Sequence, residues 1–208
     1  MTNDVENAAC PHLDAVDEHA LEALFFSART ANTFAPIPVS DQQLADIWEL
    51  ARWAPTGANM QPLRVVFVRT DAGRARLTAH MYEGNKAKTA SAPAVAILAI
   101  DTRFHEYMSA LLPFKPEVAQ LYASNEALRD ASARLNAALQ AGYFILAVRA
   151  RGLAAGPMSG FDAASLDAEF FPDGRWRSLL VVNIGRPGKN AWLGRLPRLD
   201  HTECLRWE

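Results

Sequence analysis

Cysteine is almost missing from this 208-residue chain: Cys10 and Cys204 lie near opposite ends, with no CxxC or Cys/His spacing around either. A disulfide framework or a thiolate zinc site has no support in that pattern, and two reduced thiols fit a cytoplasmic protein. An excess of charge is missing too. Lys and Arg number 21 against 23 Asp and Glu, a formal net charge of −2 that gives no attraction to nucleic acid or anionic membrane. Nor is there a long greasy run. The longest, Ala137 to Val148, is interrupted by Gln140 and stopped by Arg149, well short of the ~20 residues a membrane span needs. Met1 to Asp17 is polar and acidic, without the basic-then-apolar order of an export signal. Residues 1–17 are therefore expected to form a flexible segment ahead of one domain over residues 18–208.

Several catalytic signatures are absent as well. No GxGxxG follows a strand, which speaks against a Rossmann dinucleotide domain, and no Walker loop or GxSxG elbow occurs. The histidines at 12, 19, 80, 105 and 201 are scattered, and no pair has helical metal-ligand spacing. No metal is expected. A chain of this size without nucleophile, metal or acid pair is either a binding module or an enzyme whose cofactor carries the hard chemistry.

What is present reads as interleaved helices and strands. Leu21, Leu24, Phe25 and Ala28 repeat at helical spacing, with an end expected between Arg29 and Asn32. Ser40 and Gln43 form a capping box for a second helix that continues through Leu44, Ile47, Trp48 and Ala51 and stops before Pro55. Residues 64–69 and 177–185 read as strands. The run from Ala94 to Ile100 is apolar throughout, as in a strand buried on both faces. A moderate helix is expected over 74–82 and the longest over 126–151, with Gly152 as its left-handed cap. The near-continuous apolar stretch of that long helix predicts burial on most sides, in a core or a subunit interface. The pattern predicts an α+β fold and leaves strand order open.

Three polar, irregular stretches remain: Ser27 to Phe34, Trp53 to Pro62 and Gly152 to Asp162. On pattern alone they are turns satisfying their own backbone, with Asp162 capping the helix that follows. Taken in order, however, Pro55-Thr-Gly-Ala-Asn-Met-Gln-Pro62, Gly152 to Asp162, Val182-Asn-Ile-Gly185 and Leu196-Pro-Arg198 resemble the FMN-dependent nitroreductase family. The Gly-Pro-Met-Ser-Gly-Phe-Asp stretch and Leu196-Pro-Arg-Leu199 look most like its RutE/HadB-like branch, which is assigned to malonic semialdehyde reduction in uracil breakdown.

The resemblance implies an α+β fold with a central, mainly antiparallel sheet flanked by helices, in an intertwined homodimer. It implies FMN bound at the subunit interface, NAD(P)H as transient co-substrate and a small-molecule electron acceptor. Arg29, Thr30 and Arg198 are the implied phosphate ligands. Asp200 stands where a further basic residue is often found, so Arg195 or Lys189 is the expected substitute. Pro55, Thr56, Asn59 and Gln61 match positions lining the flavin. Asn85 and Lys88 match a pair at its pyrimidine end, where a lysine stabilises charge placed near N1 and O2 on reduction. Pro157, Met158, Ser159 and Gly160 are expected to cover one face and edge, with backbone amides near N5. A carboxylated aldehyde also needs a cation, for which Arg103 and Lys115 are the candidates. The reaction implied is ping-pong hydride transfer, with no catalytic side chain named. A nitroaromatic or quinone reductase, a flavin-dependent oxidase and a non-catalytic flavin-binding protein remain open alternatives.

Overall fold

The computed structural model describes residues 14–208. Cys10 and most of the expected flexible segment lie outside them. Two short turns open the described chain: α1 (Glu18–Leu21), capped by the Asp17 carboxylate on the Ala20 amide, and a π-helical turn over Glu22–Phe26. The helix stops at Ser27, a little before the expected end, and Phe25 and Phe26 are exposed.

Next comes α2 (Asp41–Ala51), and its capping box forms as expected: Ser40 Oγ accepts from the Gln43 amide while Gln43 Oε1 accepts from the Ser40 amide. Such a cap stabilises a helix by about 1 kcal/mol. Strand β1 (Leu63–Val68) is followed by α3 (Asp71–His80) and α4 (Glu83–Ser91). α3 begins earlier than expected because Thr70 Oγ1 caps the Gly73 amide and starts the helix at Asp71. Strand β2 (Ala94–Asp101) is buried at every position. A crossing segment then carries α5 (Met108–Leu111) and α6 (Glu117–Ser124) to the long α7 (Glu126–Ala150). Gly152 follows at φ +72°, the left-handed conformation a side chain disfavours.

The chain returns through β3 (Ala154–Met158), α8 (Ala163–Phe170) and β4 (Trp176–Gly185), and ends after α9 (His201–Cys204). Strand β3 corrects the reading of residues 152–162 as irregular. Gly156 and Pro157 depress strand propensity, but β3 is an edge strand, where a missing N–H leaves no neighbour unpaired. Asp162 caps α8 through the Ser165 amide, as expected.

The sheet is antiparallel throughout, in the order β1-β2-β4-β3. Alternate residues of β2 point into two cores. Ala94, Ala96, Leu98 and Ile100 meet α2 and α7, whereas Val95, Ile97 and Ala99 meet α3 and α8. On α7 the buried line is Ala133, Ala137, Ala141, Phe144 and Val148, while Leu135, Leu139 and Tyr143 are exposed. Burial on most sides is thus not met within one chain. No described helix is long and apolar enough to cross a membrane.

Candidate functional site

Four arginines from three distant segments converge on one cleft. Its volume is about 330 Å³, and Arg29, Arg149, Arg195 and Arg198 line it together with Thr30 and Asn32. The fold brings them together by backbone pairing. The Ala31 amide bonds Ala155 O on β3 and the Asn32 amide bonds Ala191 O, which seats the first motif between the sheet edge and the tail. Arg29 Nη2 then donates to Leu193 O, and Arg195 Nη2 donates to Phe26 O. Arg198 Nη1 donates to Leu196 O and Pro197 O at 3.0 and 3.1 Å. No carboxylate lines this cleft. Of the two substitutes expected for the tail, Arg195 reaches the cleft, whereas Lys189 is not among its lining residues.

Arg149 carried no functional reading in the sequence, where it only ended a greasy run. It stands in the last turn of α7, favourable for a cation because the carbonyl end of a helix dipole is negative. Burial pushes its pKa down from the ordinary arginine value.

The second group lies where α4 meets the end of β3. Asn85 Nδ2 donates to Gly160 O at 2.8 Å, and the same carbonyl accepts from the Tyr82 amide at 3.0 Å. A Cβ on Gly160 would lie 2.5 Å from Asn85 Nδ2, so glycine is required for this approach. Lys88 is one turn along from Asn85 and makes no ion pair among the described residues. Ser159 is exposed and Pro157 half-buried. Met158 is 7% exposed in the core on the α3/α8 side, so its side chain is committed to packing.

The third group, the loop before β1, is strained. Ala58, Asn59 and Gln61 have φ of +51°, +50° and +42°, a region non-glycine residues visit rarely. It is held by both polar side chains buried on α7. Asn136 Oδ1 accepts from the Gly57 amide at 2.7 Å and Gln140 Oε1 from the Leu63 amide at 2.9 Å. Asn59 is fully engaged, donating to Leu111 O at 2.9 Å and accepting from Gln61 Nε2 at 2.8 Å. Thr56 Oγ1 accepts from the Gln61 amide, and Pro55 is exposed. This loop leads into β1, at the sheet edge opposite β3, and its Met60 packs in the core on the α2/α7 side. A single chain therefore separates Pro55, Thr56, Asn59 and Gln61 from the other expected ligands.

Arg103 and Lys115 are exposed and neither side chain makes an ion pair among the described residues. Arg103 lies beside a different arginine cluster. There the fully buried Asp101 pairs with Arg64 at 2.7 Å and Arg175 at 3.2 Å, and it also accepts from the Arg103 amide at 2.9 Å. These bonds hold the Arg175 guanidinium more basic than usual. His105 Nδ1 is buried without a partner, and burial pushes that imidazole's pKa down. No group of His, Cys, Asp and Glu suited to a metal ion occurs among the described residues.

The model of the nitroreductase family matches residues 27–186, most of the chain. The chain belongs to the nitroreductase family. Among its relatives in that family is a Streptomyces coelicolor protein provisionally named NADH dehydrogenase/NAD(P)H nitroreductase. It is 55% identical over 195 residues, covering 94% of this chain and 96% of the relative. A Leptothrix cholodnii protein of the same name is 48% identical over 191 residues, covering 91% and 97%. Solved nitroreductase folds agree at lower identity. A nitroreductase from Exiguobacterium sibiricum in complex with FMN superposes with TM-score 0.81 at 19% identity, covering 94% of this chain and 99% of that one. An enone reductase of gut-bacterial fatty acid saturation superposes with TM-score 0.77 at 18% identity, covering 93% and 99%.

Proposed function

We propose that this nitroreductase family member is an FMN-dependent oxidoreductase, working as a homodimer, that takes reducing equivalents from NAD(P)H and hands them to a small acceptor. The arginine cleft carries the reading. Guanidinium groups without a carboxylate among them match a phosphate dianion in charge and in donor geometry. FMN, when bound, supplies the hydride chemistry that no side chain here can supply.

The chain's own residues would bind and orient. Arg29, Thr30 and Arg198 hold the phosphate, and Arg195 closes the cleft wall on Phe26 O. Asn85, its amide NH₂ fixed on Gly160, presents Oδ1 to the pyrimidine end, and Lys88 offsets the negative charge that reduction places there. Pro157, Ser159 and Gly160 offer an edge of backbone. The Pro55–Gln61 loop of a second copy completes the pocket in this reading. Exposed Leu135, Leu139 and Tyr143 on α7, with Trp53, Leu196 and Leu199, supply the apolar surface such a dimer buries.

The acceptor proposed first is malonic semialdehyde, reduced to 3-hydroxypropionate; the motif resemblance to the RutE/HadB-like branch supports it. Lys115 is the better candidate for its carboxylate. It lies on the segment that the Asn59–Leu111 hydrogen bond ties to the flavin-lining loop, whereas the Arg103 backbone is held by Asp101. The names of the relatives favour a second acceptor class, nitroaromatics and quinones.

The test is anaerobic addition of NADH or NADPH to FMN-loaded protein. The yellow colour is expected to bleach and to return with acceptor, with parallel initial-rate lines. Colour that persists with both nucleotides would make the protein a non-catalytic flavin binder. Lys115→Ala is expected to lose more turnover on the aldehyde acid than on an uncharged quinone; equal losses would remove Lys115 from recognition.

A further inference from the structure

The four arginines of the cleft are not equivalent. Arg29 and Arg195 stitch its walls together, since their Nη2 groups donate to carbonyls of Leu193 and Phe26 across sequence separations of 164 and 169 residues. Arg198 is bonded to its own tail. Arg149 does neither. Its Nε–H is buried with no acceptor, and its one hydrogen bond is a long contact from Nη1 to Leu24 O at 3.4 Å. It makes no ion pair among the described residues. Arg149 lines the cleft and also an adjoining cavity of about 190 Å³ bounded by Ser27, Leu153 and Trp192. The buried Nε–H cannot itself meet a ligand in the cleft, but the Nη2 group, neither buried nor hydrogen-bonded, is a charged donor with no acceptor of its own. The C-terminal end of α7 steadies the charge but gives Nε–H no partner.

We infer that Arg149 is a phosphate ligand of the flavin site and supplies the larger share of its discrimination between FMN and unphosphorylated riboflavin. Arg195 then acts chiefly by closing the cleft wall, and Arg29 divides its donors between the wall and the phosphate. This rests on the reading of the cleft as a flavin phosphate site. The Nη2 of Arg149 is free to take a phosphate oxygen, whereas the Nη2 groups of Arg29 and Arg195 are already bonded to carbonyls, so the gain from binding is greater at Arg149.

The test is titration of apoprotein with FMN and, separately, with riboflavin, followed by flavin fluorescence, for the wild type, Arg149→Gln and Arg195→Gln. Arg149→Gln is expected to weaken FMN about ten- to a hundredfold while riboflavin changes less than about twofold. Arg195→Gln is expected to weaken both flavins alike. Arg149→Gln that leaves FMN affinity unchanged, or weakens both flavins equally, overturns the inference. So does loss of the FMN preference in Arg195→Gln alone. Should Arg149→Gln fail to fold, Arg149→Lys decides by the same comparison, because lysine keeps the charge and loses the fork. A wild type that binds riboflavin as tightly as FMN would instead overturn the phosphate reading of the whole cleft, an outcome visible before any variant is made.

Discussion

Arginine is concentrated at both ends of β4, about 30 Å apart along a ten-residue strand, and the two concentrations are built in opposite ways. At the Trp176 end, Arg64 and Arg175 close on the buried Asp101, Glu106 pairs with Arg175 at 3.0 Å, and Tyr107 lies 5.2 and 5.5 Å from the two guanidinium carbons. Both of those guanidinium groups have an anion. Arg64 in turn donates to Gln61 O and Leu63 O, so the cluster anchors the loop before β1. At the Gly185 end, Arg29, Arg149, Arg195 and Arg198 meet only carbonyl oxygens. Compensated charge holds the fold; uncompensated charge, in the reading proposed above, waits for a ligand. On that proposal the same residue type serves stability at one end and binding at the other.

The largest effect that separates the two ends is expected from Asp101→Asn. It removes the buried anion the two guanidinium groups share, leaving Arg64 with none and Arg175 with Glu106 alone, and should cost about 3 kcal/mol, read as a lower urea midpoint. The FMN-to-riboflavin preference should stay intact. Arg198→Ala should do the reverse, weakening FMN about tenfold with stability changed by under about 0.5 kcal/mol. If both variants move both quantities, the division between the two ends fails. Gly160→Ala drives a methyl group into Asn85 Nδ2 and should weaken FMN and riboflavin alike by about 1 kcal/mol, since it disturbs the ring end and leaves the phosphate end alone. The smallest effect is a pH slope. Burial lowers the His105 pKa below its ordinary 6.5, so the unfolded chain takes up a proton first as pH falls. Stability is therefore full above about pH 6.5, declines as pH drops from there towards the lower folded pKa, and then levels. His105→Asn should flatten that part of the stability profile.

Much of the scaffold was legible in the sequence because its signals are local. The Ser40–Gln43 box, the apolar run of β2 and the cap at Gly152 each specify an element within a few residues. β3 was not legible, because Gly156 and Pro157 disfavour strand and only the edge position beside β4 makes them acceptable. The candidate site was legible in part. Arg29, Asn85 and Arg198 stand out once the motifs are placed in order. Arg149 does not, because it ends an apolar helix and its proposed role depends on a loop and a tail 120 and 49 residues away, at Arg29 and Arg198. Asn136 and Gln140 read only as interruptions of a greasy helix, yet they hold the strained loop before β1. Spacing along the chain carries no information about such partners.

The most direct test is a crystal structure of the protein with FMN. The phosphate is expected in the cleft between Arg29, Arg149, Arg195 and Arg198, with the ring running towards Asn85 and Gly160. A phosphate found elsewhere, with those four guanidinium groups still meeting only carbonyls, would contradict the account.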